Sequence, residues 1–154
     1  MKLSRVFVPL AATALLLTGC SAGGGAGTDS SGEDCLAPGS VSKTIEVTGE
    51  VGNDLELVSE TPVSVEAAER SVLKKGEGEG PTADQTIEVA MSMFNGADGT
   101  SLQQVATSPI PVAQEQLATW AYEGIRCAVP GEQIALVTPY ADVFGTAAAE
   151  ETGL

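Results

Sequence analysis

TIEVAMSMFNGADGTSLQQV, residues 86–105, decides how the chain folds. TIEVAMSMF, residues 86–94, is its strongest strand signal, and Asn95, Gly96, Asp98 and Gly99 are turn residues that lead into an antiparallel partner at 100–105. Beyond this hairpin, Pro109 and Pro111 are expected to break the chain. Residues 114–125 then read as one helix, with Leu117, Trp120, Ala121 and Gly124 at helical spacing on one face. Pro130 and Gly131 make a turn before a strand at 133–138, Pro139 ends that strand, and TAAAEETGL runs on with no closing element.

Toward the other end, TIEVTGEV at 44–51 alternates apolar and polar residues, and Gly52, Asn53 and Asp54 form a turn before 55–58. A hairpin or extended edge is expected there. Residues 62–65 and 70–74 read as extended, with a helical-looking AAE between them, and GEGEGP at 76–81 is a solvent loop. Its glycines lack the following lysine and helix start of a phosphate-binding loop. Antiparallel strands with one short helix make an α+β domain.

The first residues carry a different signal. Lys2 and Arg5 precede an apolar run at 6–17, about the length of a signal-peptide core and short of the ~20 residues that span a bilayer. The run ends in LTGC, residues 17–20, which resembles a bacterial lipobox and implies a lipid on Cys20. SAGGGAGTDSSGED, residues 21–34, cannot bury enough apolar surface to order itself and reads as a tether. The expected organisation is a lipoprotein signal at 1–19, lipidated Cys20 and tether at 20–34, and one domain at 35–154. That domain has about 120 residues, enough for a single core. The expected location is the cell membrane, lipid-anchored on its extracytoplasmic face.

Charge and missing residue types narrow the chemistry. The chain carries a formal net charge of −14; without residues 1–19, five Lys and Arg face 21 Asp and Glu, a charge of −16. Nucleic-acid phosphates call for clustered cations, so the sign is wrong for such a partner. With no histidine there is no Ser-His-Asp or Cys-His arrangement and no imidazole ligand. Asp98 in NGADGT is followed by glycine, without the alternating ligands of a calcium loop. No cofactor and no metal are expected. With Cys20 committed to lipid, Cys35 and Cys127 remain as an even pair in an oxidising compartment, where a disulfide is the natural assignment and a free buried thiol pair the other reading. The bond would close a loop of about 90 residues and stabilise the fold by roughly 4 kcal/mol in the chain-entropy model.

The order strand, Asp-Gly turn, strand, short helix, Pro-Gly turn, strand and aromatic-Gly loop resembles the FKBP-type peptidyl-prolyl cis-trans isomerases. EGIRCAVPGEQIALVTPYADVFG, residues 123–145, resembles the family's EGI, VGE, basic-strand and AYG run, and IEVAMSMFNGADGTSL, residues 87–102, its V-x-V-x-Y-T segment and DG turn. The likeness covers about 60 residues and extends to a class of actinobacterial lipoproteins built on this domain. It implies an antiparallel sheet wrapped on one short helix. The family's final strand has no counterpart before Leu154, so either the sequence is a fragment or another strand takes that place.

The resemblance also implies a proline-binding pocket. The family's strand tyrosine falls at Met91, its Phe and Asp after the turn at Leu102 and Gln103, and its loop tyrosine at Phe144. Two aliphatic residues entering the helix fall at Leu117 and Ala118, and the floor tryptophan falls at Ala121, or at Trp120 with one inserted residue. The Asp carboxylate and both tyrosine hydroxyls are therefore missing, and Met91, Leu102, Leu117 and Phe144 read equally as core. Family chemistry needs no acid, base or metal: an X-Pro bond lies behind a barrier of ~18–20 kcal/mol, lowered when a dry pocket binds the twisted amide better than the planar one. The expectation is an exported, lipid-anchored FKBP-like isomerase or folding helper with a degenerate pocket, acting on proline-containing exported polypeptides. The alternative is a non-catalytic binding module for an exported client. A small solute-binding lipoprotein is disfavoured because two lobes need more chain.

Overall fold

The computed structural model describes residues 35–152. The expected signal at 1–19 and the expected lipidated Cys20 and tether at 20–34 lie outside the described residues. In chain order a 3-10 turn (Ser42–Thr44) precedes β1 (Val47–Thr48), β2 (Glu56–Leu57), β3 (Glu69–Lys74), β4 (Thr86–Phe94) and β5 (Ser101–Pro111). α1 (Thr119–Ile125), β6 (Gln133–Val137), α2 (Tyr140–Phe144) and α3 (Thr146–Thr152) follow. The class is α+β, as expected. Instead of one sheet wrapped on one helix, however, three two-stranded antiparallel sheets form, β1–β2, β3–β6 and β4–β5, alongside three short α-helices.

The hairpin of the opening stretch forms as expected, but its second strand is longer. β5 runs through Pro109 and Pro111, which pair with Glu88 and Thr86. The two prolines do not break the chain because a spacing of two puts both N–H-less nitrogens on the same side of an edge strand. Helix formation is correspondingly shorter than expected: residues 114–118 are a turn in which Gln116 N–H donates to Ala113 C=O at 3.0 Å, and α1 starts only at Thr119. The AAE stretch at 67–69 forms no helix, its Glu69 instead opening β3, and 62–65 form no strand, although Val63 N–H donates to Gly96 C=O at 2.7 Å. The tail that was expected to lack an element forms α3, where a run of alanine and glutamate favours helix. The aromatic-Gly loop is itself helical in α2, closed by Gly145 at φ 90°.

Polar groups organise the β3–β6 sheet. Arg70, 3% exposed, donates through Nε to Gly124 C=O at 2.9 Å and through an Nη to Glu132 Oε2 at 2.7 Å. Glu132 Oε2 also accepts Val129 N–H at 3.1 Å. One cation thereby satisfies a carbonyl in the last turn of α1, where four lack helical partners, and holds the turn before β6. On the neighbouring residue, Glu69 Oε2 accepts Val41 and Ser42 N–H at 3.0 and 2.8 Å, while the buried Ser42 and Ser71 hydroxyls bond at 2.8 Å. α1 reaches β6 at Gly124, where a Cβ would lie 2.8 Å from a Leu136 methyl, so any larger residue would require the Leu136 side chain to shift. Cys35 and Cys127 form the disulfide, their Cα atoms 6.0 Å apart, and tie the start of the described chain to the residue after the α1 cap.

Buried apolar residues are few among the described residues: Leu55, Val112, Ala113, Ala135 and Ala149, of which only Val112 is fully enclosed. Val112 anchors the end of β5, its N–H donating to Gln85 C=O at 2.8 Å and its C=O accepting Asp84 N–H at 3.0 Å.

Candidate functional site

Bulges decide what the β4–β5 ribbon presents. Val89 opposes Ser108 and Met91 opposes Val105, so Ala106 and Thr107 together face Ala90; Met93 opposes Gln103 and Phe94 opposes Ser101, which leaves Leu102 inserted without a partner. Ile87, Val89, Met91 and Met93 share one face of β4, and Gln103 and Val105 join them from β5. Met91 and Gln103 are thus diagonal neighbours, as a shared pocket would require. Leu102 is displaced by its bulge and is 49% exposed.

The opposite face of the ribbon is occupied by the turn between β1 and β2. Ser92 accepts Gly52 N–H at 2.9 Å and bonds Gln104, whose amide donates to Leu55 C=O at 2.9 Å. Gly52 has φ 83°, and a Cβ there would lie 2.3 Å from Val105 C=O. The turn thus covers the Ser92–Gln104 face, while Ile87, Val89, Met91 and Met93 on the other face are half-buried.

The remaining candidates lie on the C-terminal half of the chain. Leu117 is half-buried and Ala118 exposed in the approach to α1; Trp120 and Ala121 follow in its first turn, both half-buried. Trp120 Nε1 is buried and makes no hydrogen bond, and the same holds for Thr138 Oγ1 just beyond β6. Phe144, in α2, is 47% exposed and stacks at 4.6 Å on Tyr140. Leu102 and Phe144, expected to wall a pocket, are accordingly half open to solvent. A separate shallow cleft of about 520 Å³ lies between β1–β2 and β3–β6, lined by Ile45, Val47, Val58, Leu73 and Gln133 among others; none of the eight expected residues lines it.

Among the described residues no cluster of His, Cys, Asp or Glu is arranged to hold a metal ion, and no helix is long and apolar enough to cross a membrane. Asp98 in the β4–β5 turn has its carboxyl held below the ordinary aspartate value, first by Thr100 N–H at 2.9 Å and then by the Thr100 hydroxyl at 2.7 Å. It orders the turn and takes no part in the candidate pocket. Sequence reasoning missed Thr138, because a threonine at a strand end is an ordinary β residue until its hydroxyl is found buried and unbonded. It also missed Arg70 with Glu132, where the only signal was a cation between two strand-forming stretches.

Compared with known proteins, the chain matches no family model, no curated protein and no solved structure.

Proposed function

We propose that this chain is an exported, lipid-anchored FKBP-like domain that binds proline-containing segments of exported polypeptides and assists their folding as a peptidyl-prolyl isomerase. The observation that carries the reading is the Met91–Gln103 face of the ribbon, taken with the half-buried Trp120 at a one-residue register shift from the resembled floor position. An apolar surface of this kind acts on an X-Pro bond by excluding water and favouring the twisted amide, which needs no titrating side chain. On this reading Met91 and Met93 supply apolar contact, Trp120 and Phe144 take the floor and loop positions that the resemblance implies, and Gln103 supplies a neutral amide where the resembled family has a carboxylate. Cys20 holds the domain at the membrane through its lipid.

A second reading, a non-catalytic binding module on the same fold, is favoured by the bulged Leu102 and exposed Phe144, which leave the pocket less closed than water exclusion demands. A protease-free proline isomerisation assay on the purified full chain, with Phe144→Ala alongside, separates the two. Turnover lost in the variant supports the isomerase. Background turnover from a chain shown to be folded, together with retained peptide binding, leaves the binding module.

A further inference from the structure

The cleft between β1–β2 and β3–β6 takes no part in the reading above, and its walls have a particular form. Four consecutive residues, Ile45, Glu46, Val47 and Thr48, line it, with Val58, Leu73 and Gln133 completing it. Neighbouring side chains on a strand point to opposite faces, so a cleft that touches all four runs along an edge of β1 and not over one face. One edge of β1 is taken by β2. Val58 N–H donates to Glu46 C=O at 2.9 Å, Val47 opposes Leu57 and Thr48 opposes Glu56. Bonded and non-bonded pairs alternate along an antiparallel ladder, so the bonds run through Glu46 and Thr48, and Val47 turns its N–H and C=O away from β2. Among the described residues nothing bonds these two groups. The cleft therefore follows an open strand edge.

The opposite wall is apolar where β3 is irregular. Val72 opposes Ile134 and Lys74 opposes Gln133, so Leu73 is the extra residue of a bulge, and it lines the cleft. Val58 adds an apolar side chain that is 55% exposed. Glu46 is the one charged residue in the lining.

We propose that the open edge of β1 binds an extended, neutral or basic segment of another polypeptide as an added strand, with alternate apolar side chains against Ile45, Val58 and Leu73. A backbone is the matching occupant because its own N–H and C=O complete the pair that Val47 leaves open. Charge selects among backbones. Glu46 in the lining, Glu56 opposite Thr48 and a net charge of −14 oppose both an acidic segment and a second copy of this chain. With so short an edge, binding is expected to be weak and quickly reversible. The choice of partner rests on the peptide-binding reading above, but the surface is separate from the Met91 face.

The full chain is titrated with a capped Lys-Val-Thr-Val-Thr-Lys peptide, which contains no proline, and separately with a capped Ala-Leu-Pro-Phe peptide that probes the Met91 face, both followed by amide NMR. The Val47 amide is expected to shift and to gain hydrogen-exchange protection with the first peptide. N-methylation of alternate residues of that peptide, on the side that bonds β1, should abolish the shift. Val47→Pro removes the outward N–H and leaves the ladder bonds at Glu46 and Thr48 in place, so it should weaken binding about tenfold, the share of one hydrogen bond. Leu73→Thr, which keeps a strand-forming residue at the bulge, should weaken it as well and serves where the proline variant does not fold. A Val47 amide unmoved at millimolar peptide overturns the proposal, whether or not the proline peptide shifts Met91. So does equal binding of a Glu-Val-Thr-Val-Thr-Glu counterpart. A Val47 shift that follows protein concentration with no peptide present also overturns it, because a second copy then covers the edge. A Val47 response to the first peptide with no response of Met91 to the second upholds the edge site and removes the proline reading.

Discussion

The β3–β6 and β4–β5 sheets are both two-stranded and antiparallel, yet they are held by different forces. β3–β6 is the shorter, and it is fastened from several sides: Arg70 bridges α1 and the turn at Glu132, Glu69 and Ser71 hold the chain at 41–42, and the disulfide ends beside α1. β4–β5 has the longer ladder but fewer side-chain ties, chiefly Ser92 and Gln104 against the turn at 52–55, and both Leu102 and the Met91 face remain partly open. The contrast separates a clamped scaffold from a ribbon free to offer a surface. Apolar contacts exposed for binding cannot also be spent on fastening the strand that bears them.

Breaking the clamp should have the largest effect. Arg70→Ala strands Glu132 as an unpaired buried carboxylate and should lower stability by about 3–5 kcal/mol in urea denaturation. A double Arg70→Met, Glu132→Leu variant should recover most of that loss, since no buried charge is left unpaired; an equal loss would show that the hydrogen bond to Gly124 C=O, not the ion pair, is what matters. Cys35→Ser tests the covalent tie next. The sequence separation of 92 predicts a loss of roughly 4 kcal/mol in the chain-entropy model, seen as a lower unfolding midpoint that reducing agent reproduces in the parent chain.

On the ribbon, effects should be smaller and more local. Ser92→Ala removes the acceptor of Gly52 N–H and should cost about 1 kcal/mol, with faster hydrogen exchange at Gly52 and unchanged protection at Ser71. Loss of protection at both sites would mean that the two sheets unfold as one unit. Phe144→Ala should change stability by less than about 1 kcal/mol, since the ring is 47% exposed, while abolishing proline turnover on the isomerase reading. The smallest effect is that of pH on the turn. Because folding lowers the Asp98 pKa, its contribution is present above the ordinary aspartate value and is lost as pH falls through the lower folded value. The Thr100 amide resonance should follow that titration, and Asp98→Asn should flatten it.

Legibility in the sequence followed the range of the forces involved. The strand at 86–94 was readable to its ends because a run of β-forming residues stops at Asn95 and Gly96, and the Gly52–Asp54 turn was readable for the same reason. Pro109 and Pro111 misled, since a proline breaks a central strand but fits an edge, and which strand lies at an edge is not a local property. The helix at 114–125 was overextended: Leu117 and Gly124 have the right spacing, but residues 114–118 hold a turn instead. Among the site residues, Met91 and Gln103 meet on one face as their strand positions required, whereas the displacement of Leu102 depends on a bulge that no residue in β5 announces.

Composition and nearest neighbours control the α+β class, the absence of histidine chemistry, the acidic charge and the hairpin around Asp98 and Gly99. The pairing of Cys35 with Cys127 was an expectation that depended on assigning Cys20 to a lipid, and the bond forms in the fold. The tertiary structure alone decided that the strands divide among three sheets, that Arg70 meets both Gly124 and Glu132, and that Trp120 and Thr138 carry buried atoms without partners. Each of these depends on the relative placement of segments dozens of residues apart. Burial sets the cost of an unpaired charge or donor, and burial exists only once those segments have met.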